Sequence, residues 1–168
     1  TRNCDKQLHR LICYMSATPN LKLTGHVGDK IEDVYLRLYV DADFAGSRDD
    51  TKSTSGGFLV LSGPNTFFPL VWVSKKQTST SKSTAESELV SLSHSLYEEA
   101  IPMLNLWQTV TGLPVILRVM EDNEATIKII NKGYSSKLRS LGRTHRVNLG
   151  AIHETFQQSD VLLNHCPT

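Results

Sequence analysis

Two hydrophobic rhythms divide the chain. In residues 34–41, Val34, Leu36, Leu38 and Val40 fall on one face and Tyr35, Arg37, Tyr39 and Asp41 on the other. That period of two predicts a strand. Phe58-Leu59-Val60-Leu61, which Gly56-Gly57 leads into, predicts a second, and Leu70-Val71-Trp72-Val73-Ser74, beyond the turn Ser62-Gly63-Pro64-Asn65, a third. Their short connections favour an antiparallel meander. The rhythm then becomes helical, with Leu89, Leu92, Leu96, Met103 and Trp107 on one stripe and an interruption expected at Pro102. Ser83-Thr84-Ala85-Glu86 has capping-box spacing at the start of that helix, and Thr111-Gly112-Leu113-Pro114 ends it. An apolar strand over 115–120, a helix over 123–132, a basic loop over 133–141, a helix over 145–158 and a strand over 161–163 complete the pattern. Ahead of the first strand, residues 4–17 predict an amphipathic helix striped by Leu8, Leu11, Ile12 and Met15. Pro19-Asn20 stops it, and a brief strand follows over 21–25. This leading unit reads as an appendage, and the rest as a mixed sheet with helices packed on it.

Composition narrows the picture. A chain of 168 residues with 39% apolar side chains fits one domain with a core, with or without a small appendage. A net charge of +1 gives no overall pull toward nucleic acid, so a basic footprint has to be local. Trp72 and Trp107 read as core residues rather than stacking platforms. Cys4, Cys13 and Cys166 are odd in number and lack metal-ligand spacing, which fits a reduced, intracellular compartment. No apolar run approaches membrane-spanning length, and there is no secretory signal. The opening Thr1-Arg2-Asn3 reads as that of a fragment of something longer.

Three acids stand at structural junctions. Asp41 ends the first strand, Glu88 lies in the first turn of the long helix, and Asp122 stands between a strand and a helix. Each has a local explanation: a turn after Asp41, the helix dipole at Glu88, an N-cap at Asp122. Glu88, however, is four residues before Leu92 and eight before Leu96, so it shares their core-facing stripe. A charge there is costly unless it is paired or bound to metal. Magnesium prefers hard oxygen ligands, and two such ions about 4 Å apart can activate a water and stabilise the leaving oxygen of a phosphodiester.

Longer motifs surround these acids. Tyr39-Val40-Asp41-Ala42-Asp43-Phe44-Ala45-Gly46, Asp49-Asp50-Thr51-Lys52-Ser53-Thr54-Ser55-Gly56, Trp72-Val73-Ser74-Lys75-Lys76-Gln77, Ser83-Thr84-Ala85-Glu86-Ser87-Glu88-Leu89 and Glu121-Asp122-Asn123 follow one another in that order. Together they resemble the ribonuclease H domain of copia-type (Pseudoviridae) retrotransposon polyproteins. The resemblance implies the ribonuclease H-like α/β fold, a five-stranded mixed sheet flanked by helices, here with the short helix–strand appendage. It implies cleavage of the RNA strand of an RNA/DNA hybrid during reverse transcription by a two-metal-ion mechanism. Asp41, Glu88 and Asp122 match the catalytic, metal-binding acids, with two Mg2+ ions as cofactor and Mn2+ as a substitute. Asp43 matches a supporting companion. Residues 1–33 resemble the tail of the connection region that joins the reverse-transcriptase polymerase to ribonuclease H, and 34–168 the ribonuclease H domain. The implied partners are the hybrid and the polymerase region of the same polyprotein, with no membrane. The implied place is intracellular, a cytoplasmic virus-like particle or the nucleus.

One departure concerns the metal site. The family carries a fourth acid in a His-x-Asp motif near the last helix. Here Arg143-Thr144-His145-Arg146-Val147-Asn148 keeps the histidine, but Val147 stands two residues on, with neutral Asn148 beside it. Asn148 could offer a carbonyl oxygen, a poorer metal ligand. For nucleic acid, the expected footprint is Lys75, Lys76, Lys82, Ser79 and Ser83, together with Asn123, Arg143 and His145 from the matched motifs. Lys132, Lys137, Arg139, Arg143 and Arg146 form a second basic cluster. A solvated turn over 77–83 and a surface role for His145 stay open. So does an alternative of another class: a non-catalytic nucleic-acid-binding or structural domain of a decayed retrotransposon polyprotein. An integrase-like nuclease of the same fold is a third reading, disfavoured by the motifs over 41–46 and 75–77.

Overall fold

The computed structural model describes residues 2–46 and 49–167, so Thr1 and Thr168, the two ends of the expected division, lie outside the described residues. Five strands form one sheet: β1 Tyr35–Asp43, β2 Thr54–Gly63, β3 Thr66–Lys76, β4 Leu117–Glu121 and β5 Val161–His165. Their order is β3-β2-β1-β4-β5. The first three pair antiparallel, and β4 and β5 join parallel on the other side of β1. The mixed sheet is the expected one. β1 buries Leu36, Leu38, Val40 and Ala42 and leaves Tyr35, Arg37, Tyr39 and Asp41 less covered, so the period of two is real.

The helices are α1 Arg2–Ala17, α2 Thr84–His94, α3 Ile101–Thr111, α4 Glu124–Lys132, α5 Leu141–His145 and α6 Leu149–Thr155. Leu89, Leu92 and Leu96 pack with Leu36, Leu38, Leu59, Leu117 and Val119 in the core. The expected break at Pro102 lies one turn upstream. A π turn over Ser95–Ala100 carries α2 into α3, and Pro102 falls in the first turn of α3. The wider turn accommodates a residue that lacks an N–H and crowds the preceding carbonyl. The expected helix over 145–158 is two helices, because Arg146 has φ 59 and separates α5 from α6.

Three other expectations change. Residues 21–25 form no strand. Among the described residues no strand pairs with them, and the appendage meets the sheet just beyond, where His26 and Phe67 exchange backbone hydrogen bonds of 2.8 Å. Asp29 then accepts hydrogen bonds from the backbone N–H of Asn65 (2.7 Å) and its Nδ2 (3.1 Å), which ties the appendage to the β2–β3 turn. Gly56 and Gly57 lie inside β2, not ahead of it. Trp72 is 68% exposed, not core. It pairs across strands with Phe58 on the sheet face away from α2, where Tyr39 and Phe58 stack at 6.4 Å and Arg118 lies 4.4 Å over the Tyr35 ring. Trp107 is partly buried against the core, as expected.

The stripe of α1 is likewise uncovered: Leu8, Leu11, Ile12 and Met15 are all exposed, and no residue of this helix is buried. Among the described residues, no helix is long and apolar enough to cross a membrane.

Candidate active site

Three elements deliver the acids to one edge of the sheet. Asp41 is exposed near the C-terminal end of β1, opposite Gly56 of β2. Asp122 follows β4, which runs parallel to β1, so the two strands end side by side. Glu88 comes down from α2 onto that edge and is 3% exposed. Each of the three offers an oxygen, and these oxygens lie within 4.8 Å of one another. Asp43 is not in that group; its carboxylate folds over Gly46, where a Cβ would collide with it.

Local chemistry explains why the acids hold these places. Ser83 caps α2 by accepting the N–H of Glu86 at 3.2 Å, as the capping-box spacing predicts. Glu86 does not complete the reciprocal half. Its Oε2 accepts the N–H of Lys82 at 2.8 Å, and its Oε1 lies 3.5 Å from His145 Nε2. Asn123, not Asp122, caps α4 by accepting the N–H of Thr126 at 3.1 Å. The capping explanation of Asp122 is thereby removed. Ser91, one turn beyond Glu88 on α2, places its hydroxyl 2.7 Å from the carbonyl oxygen of Asp41 and 3.0 Å from that of Gly56. That hydroxyl pins the helix to the strand ends, and no sequence pattern singles it out.

The electrostatics are those of crowded acids. Burial pushes the Glu88 carboxyl up to about 8, and the neighbouring charges of Glu121, Asp41 and Asp122 push the same way, while the N–H of Ala42 opposes them. Glu121, the last residue of β4, is 0% exposed and also raised to about 8, chiefly by burial. By strand parity Glu121 faces away from Asp122, which keeps it out of the expected site. Its shared parity with Leu117 and Val119 is the signal in the sequence that it is buried. Glu88 Oε2 is buried with no hydrogen-bond partner. Hard oxygens, one of them buried and unsatisfied, fit a divalent cation of the magnesium type.

The expected nucleic-acid residues differ in where the structure places them. Lys75, Lys76 and His145, with Arg146, line one groove of about 350 Å³ between the end of β3, α2 and the α5–α6 junction. In it Lys75 Nζ lies 3.2 Å from His94 Nε2, and Lys76 pairs with Asp50 at 2.9 Å. Lys82 and Arg143 are exposed, and Ser79 donates to the carbonyl of Thr144 at 3.3 Å. His145 is not a surface residue; its side chain is 1% exposed against Glu86. Ser83, Asn123 and Asn148 are all helix caps, Asn148 accepting the N–H of Ala151 at 3.2 Å at the start of α6.

The segment over 77–83 is held rather than loose. Buried Gln77 donates to Ser55 Oγ and to the Ser87 carbonyl, both at 3.0 Å, and accepts from Ser81 Oγ at 2.9 Å. Gln77→Ala strands these buried groups and should cost about 1–3 kcal/mol. Urea denaturation and limited proteolysis within 77–83 measure the effect; an unchanged midpoint and cleavage pattern would count against this anchoring role.

No protein-family model matches the chain. Over 91 residues, 54% of its length, the chain is 35% identical to the retrovirus-related Pol polyprotein from transposon RE1 of Arabidopsis thaliana. It is 34% identical over 91 residues to the corresponding polyprotein from transposon RE2 of the same plant. The matched stretch is 6% of either polyprotein. Among solved structures, the ribonuclease H domain of prototype foamy virus superposes with a TM-score of 0.51 at 13% identity, covering 80% of this chain and 79% of that one. The chain is therefore a relative of the retrovirus-related transposon Pol polyproteins, built on the ribonuclease H fold.

Proposed function

We propose that this chain is a ribonuclease H that hydrolyses the RNA strand of RNA/DNA hybrids with two divalent ions, magnesium or, in its place, manganese. The approach of the Asp41, Glu88 and Asp122 oxygens to within 4.8 Å of one another carries the reading. Bound ions would supply activation of a water and stabilisation of the leaving oxygen. The chain's own part is to place charge and substrate. Asp41, exposed at the strand end, and Asp122, half-buried, face the side open to substrate, while Glu88 brings its oxygen from within. The Ser91 hydroxyl keeps Glu88 and Asp41 in register by fixing α2 against β1. The groove beside the site, with Lys75, Lys76 and Arg146, offers cations to the phosphates of a bound strand.

The Pol polyprotein relatives support a place in a longer, copia-type polypeptide that also carries a reverse-transcriptase polymerase region. In that setting residues 1–33 are the tail of the connection region and 34–168 the catalytic domain, working in an intracellular particle. The absence of an acid at Val147 and Asn148 favours a second reading, a non-catalytic nucleic-acid-binding domain of a decayed element.

A labelled RNA/DNA hybrid with magnesium or manganese separates the two. The unmodified protein should cleave the RNA strand, and Asp122→Asn should lower the rate at least about 100-fold. No cleavage with either metal selects the non-catalytic reading. Equal cleavage by the variant identifies a contaminating nuclease.

A further inference from the structure

Glu121 is the acid that this ligand set leaves out. It ends β4 on the core-facing side of the strand, in line with Leu117 and Val119, and is 0% exposed. A carboxyl in that position is costly to bury unless something pairs with it. Its Oε1 accepts the N–H of Asn123 at 3.2 Å, but its Oε2 is buried without a partner. No ion pair among the described residues involves Glu121. Glu88 presents a second buried, unpartnered carboxylate oxygen, and its helix α2 packs on β1, the strand beside which β4 ends. Two buried oxygens in want of a cation thus lie at the sheet edge where three acids already converge.

The corner where the family places its fourth acid offers no such charge. Val147 is buried, and the Asn148 oxygen is committed to capping α6. Two divalent ions carry four positive charges, and Asp41, Glu88 and Asp122 answer three of them. We propose that Glu121 is the fourth carboxylate of this metal centre, supplying from the end of β4 the charge that the last helix lacks. Its oxygens do not belong to the group that lies within 4.8 Å, so it acts beside Glu88 as a positioning residue rather than as a direct ligand. The inference rests on the reading of the site as a divalent-metal centre.

Calorimetric titration with Mn2+ at one fixed pH tests it on the whole chain, with Glu121→Gln, Glu121→Met and Asp122→Asn alongside. Residues that support direct ligands typically cost about 10–100-fold in metal affinity when replaced, and that loss is expected for both Glu121 variants. The metal-free melting temperature of Glu121→Gln should equal or exceed that of the unmodified protein, because the amide keeps the acceptor for the Asn123 N–H and removes the ionisable buried carboxyl. A purely structural role would lower the metal-free melting temperature and leave Mn2+ affinity unchanged, which would overturn the proposal. If Asp122→Asn weakens Mn2+ binding and neither Glu121 variant does, the proposal alone fails. If Asp122→Asn binds Mn2+ as tightly as the unmodified protein, the metal-centre reading fails and takes the proposal with it.

Discussion

Glutamine in place of Glu88 will abolish hybrid cleavage and, in the same protein, raise the melting temperature of the metal-free form at alkaline pH. The two effects share one cause. Glu88 is buried among Glu121, Asp41 and Asp122, and its carboxyl is raised from 4.5 to about 8. The folded protein therefore holds a proton that the unfolded chain releases above 4.5. The associated stability is complete below that value and is lost as pH rises through about 8. The amide of the Glu88→Gln variant has no proton to lose, so its melting temperature falls less steeply with pH. Glu121, raised chiefly by its own burial, leaves a residual slope. At about pH 9 the variant should melt roughly 5 °C higher than the unmodified protein. Its rate should fall at least about 100-fold, because an amide is a poorer oxygen ligand than a carboxylate for the ions that would sit there. Thermal melts with a chelator at about pH 6 and about pH 9, beside the hybrid assay, measure both. Parallel melting curves for the two proteins across that range would refute the crowding argument.

The second large effect comes from a residue with no side chain. Gly57 lies in β2 on the face that meets the long helix, and a Cβ there would overlap Ser95 Oγ and stand 3.0 Å from Ser95 Cβ. Ser95 is fully buried and opens the π turn, so it has little room to retreat. Gly57→Val should cost roughly 3 kcal/mol by overpacking. It should also slow cleavage, since lifting the helix off the sheet moves Glu88, which the same helix carries. The neighbouring Gly56 provides the control. Its added Cβ would face the opposite side, with the Asp41 carbonyl oxygen at 3.5 Å, an ordinary contact. Urea denaturation should place Gly56→Ala well above Gly57→Val in stability. Equal midpoints for the two would show that the helix does not need this gap.

These glycines also mark where the pattern along the chain stops being legible. Glycine has low strand propensity, so Gly56-Gly57 reads as a lead-in, and its place inside β2 depends on a helix that arrives much later in the sequence. β1, the start of α2 and the junction at Asp122 are readable, because alternation, a capping box and a strand-to-helix switch are local signals. Trp72 misleads because large aromatics are usually buried, whereas among the described residues no helix covers the sheet face on which it lies. The strand over 21–25 fails for want of a partner, which a single segment cannot announce. The break at Arg146 needs a residue in the left-handed region, where arginine gives no warning. In the site, the three acids are found from position and motif. Ser91 and Glu121 are not, because their roles depend on how α2 lies across the ends of β1, β2 and β4.

The strand order gives the site a mechanical meaning as well. Asp41 belongs to a meander of strands adjacent in sequence, whereas Asp122 follows a strand that reaches β1 only after the α2–α3 connection. Glu88 sits on the intervening crossover. An ion held by all three would close two long chain loops at once, as a reversible crosslink. Such clips gain most when the loops they close are long. The same edge that would cut nucleic acid would then also fasten the parallel half of the sheet to the antiparallel half.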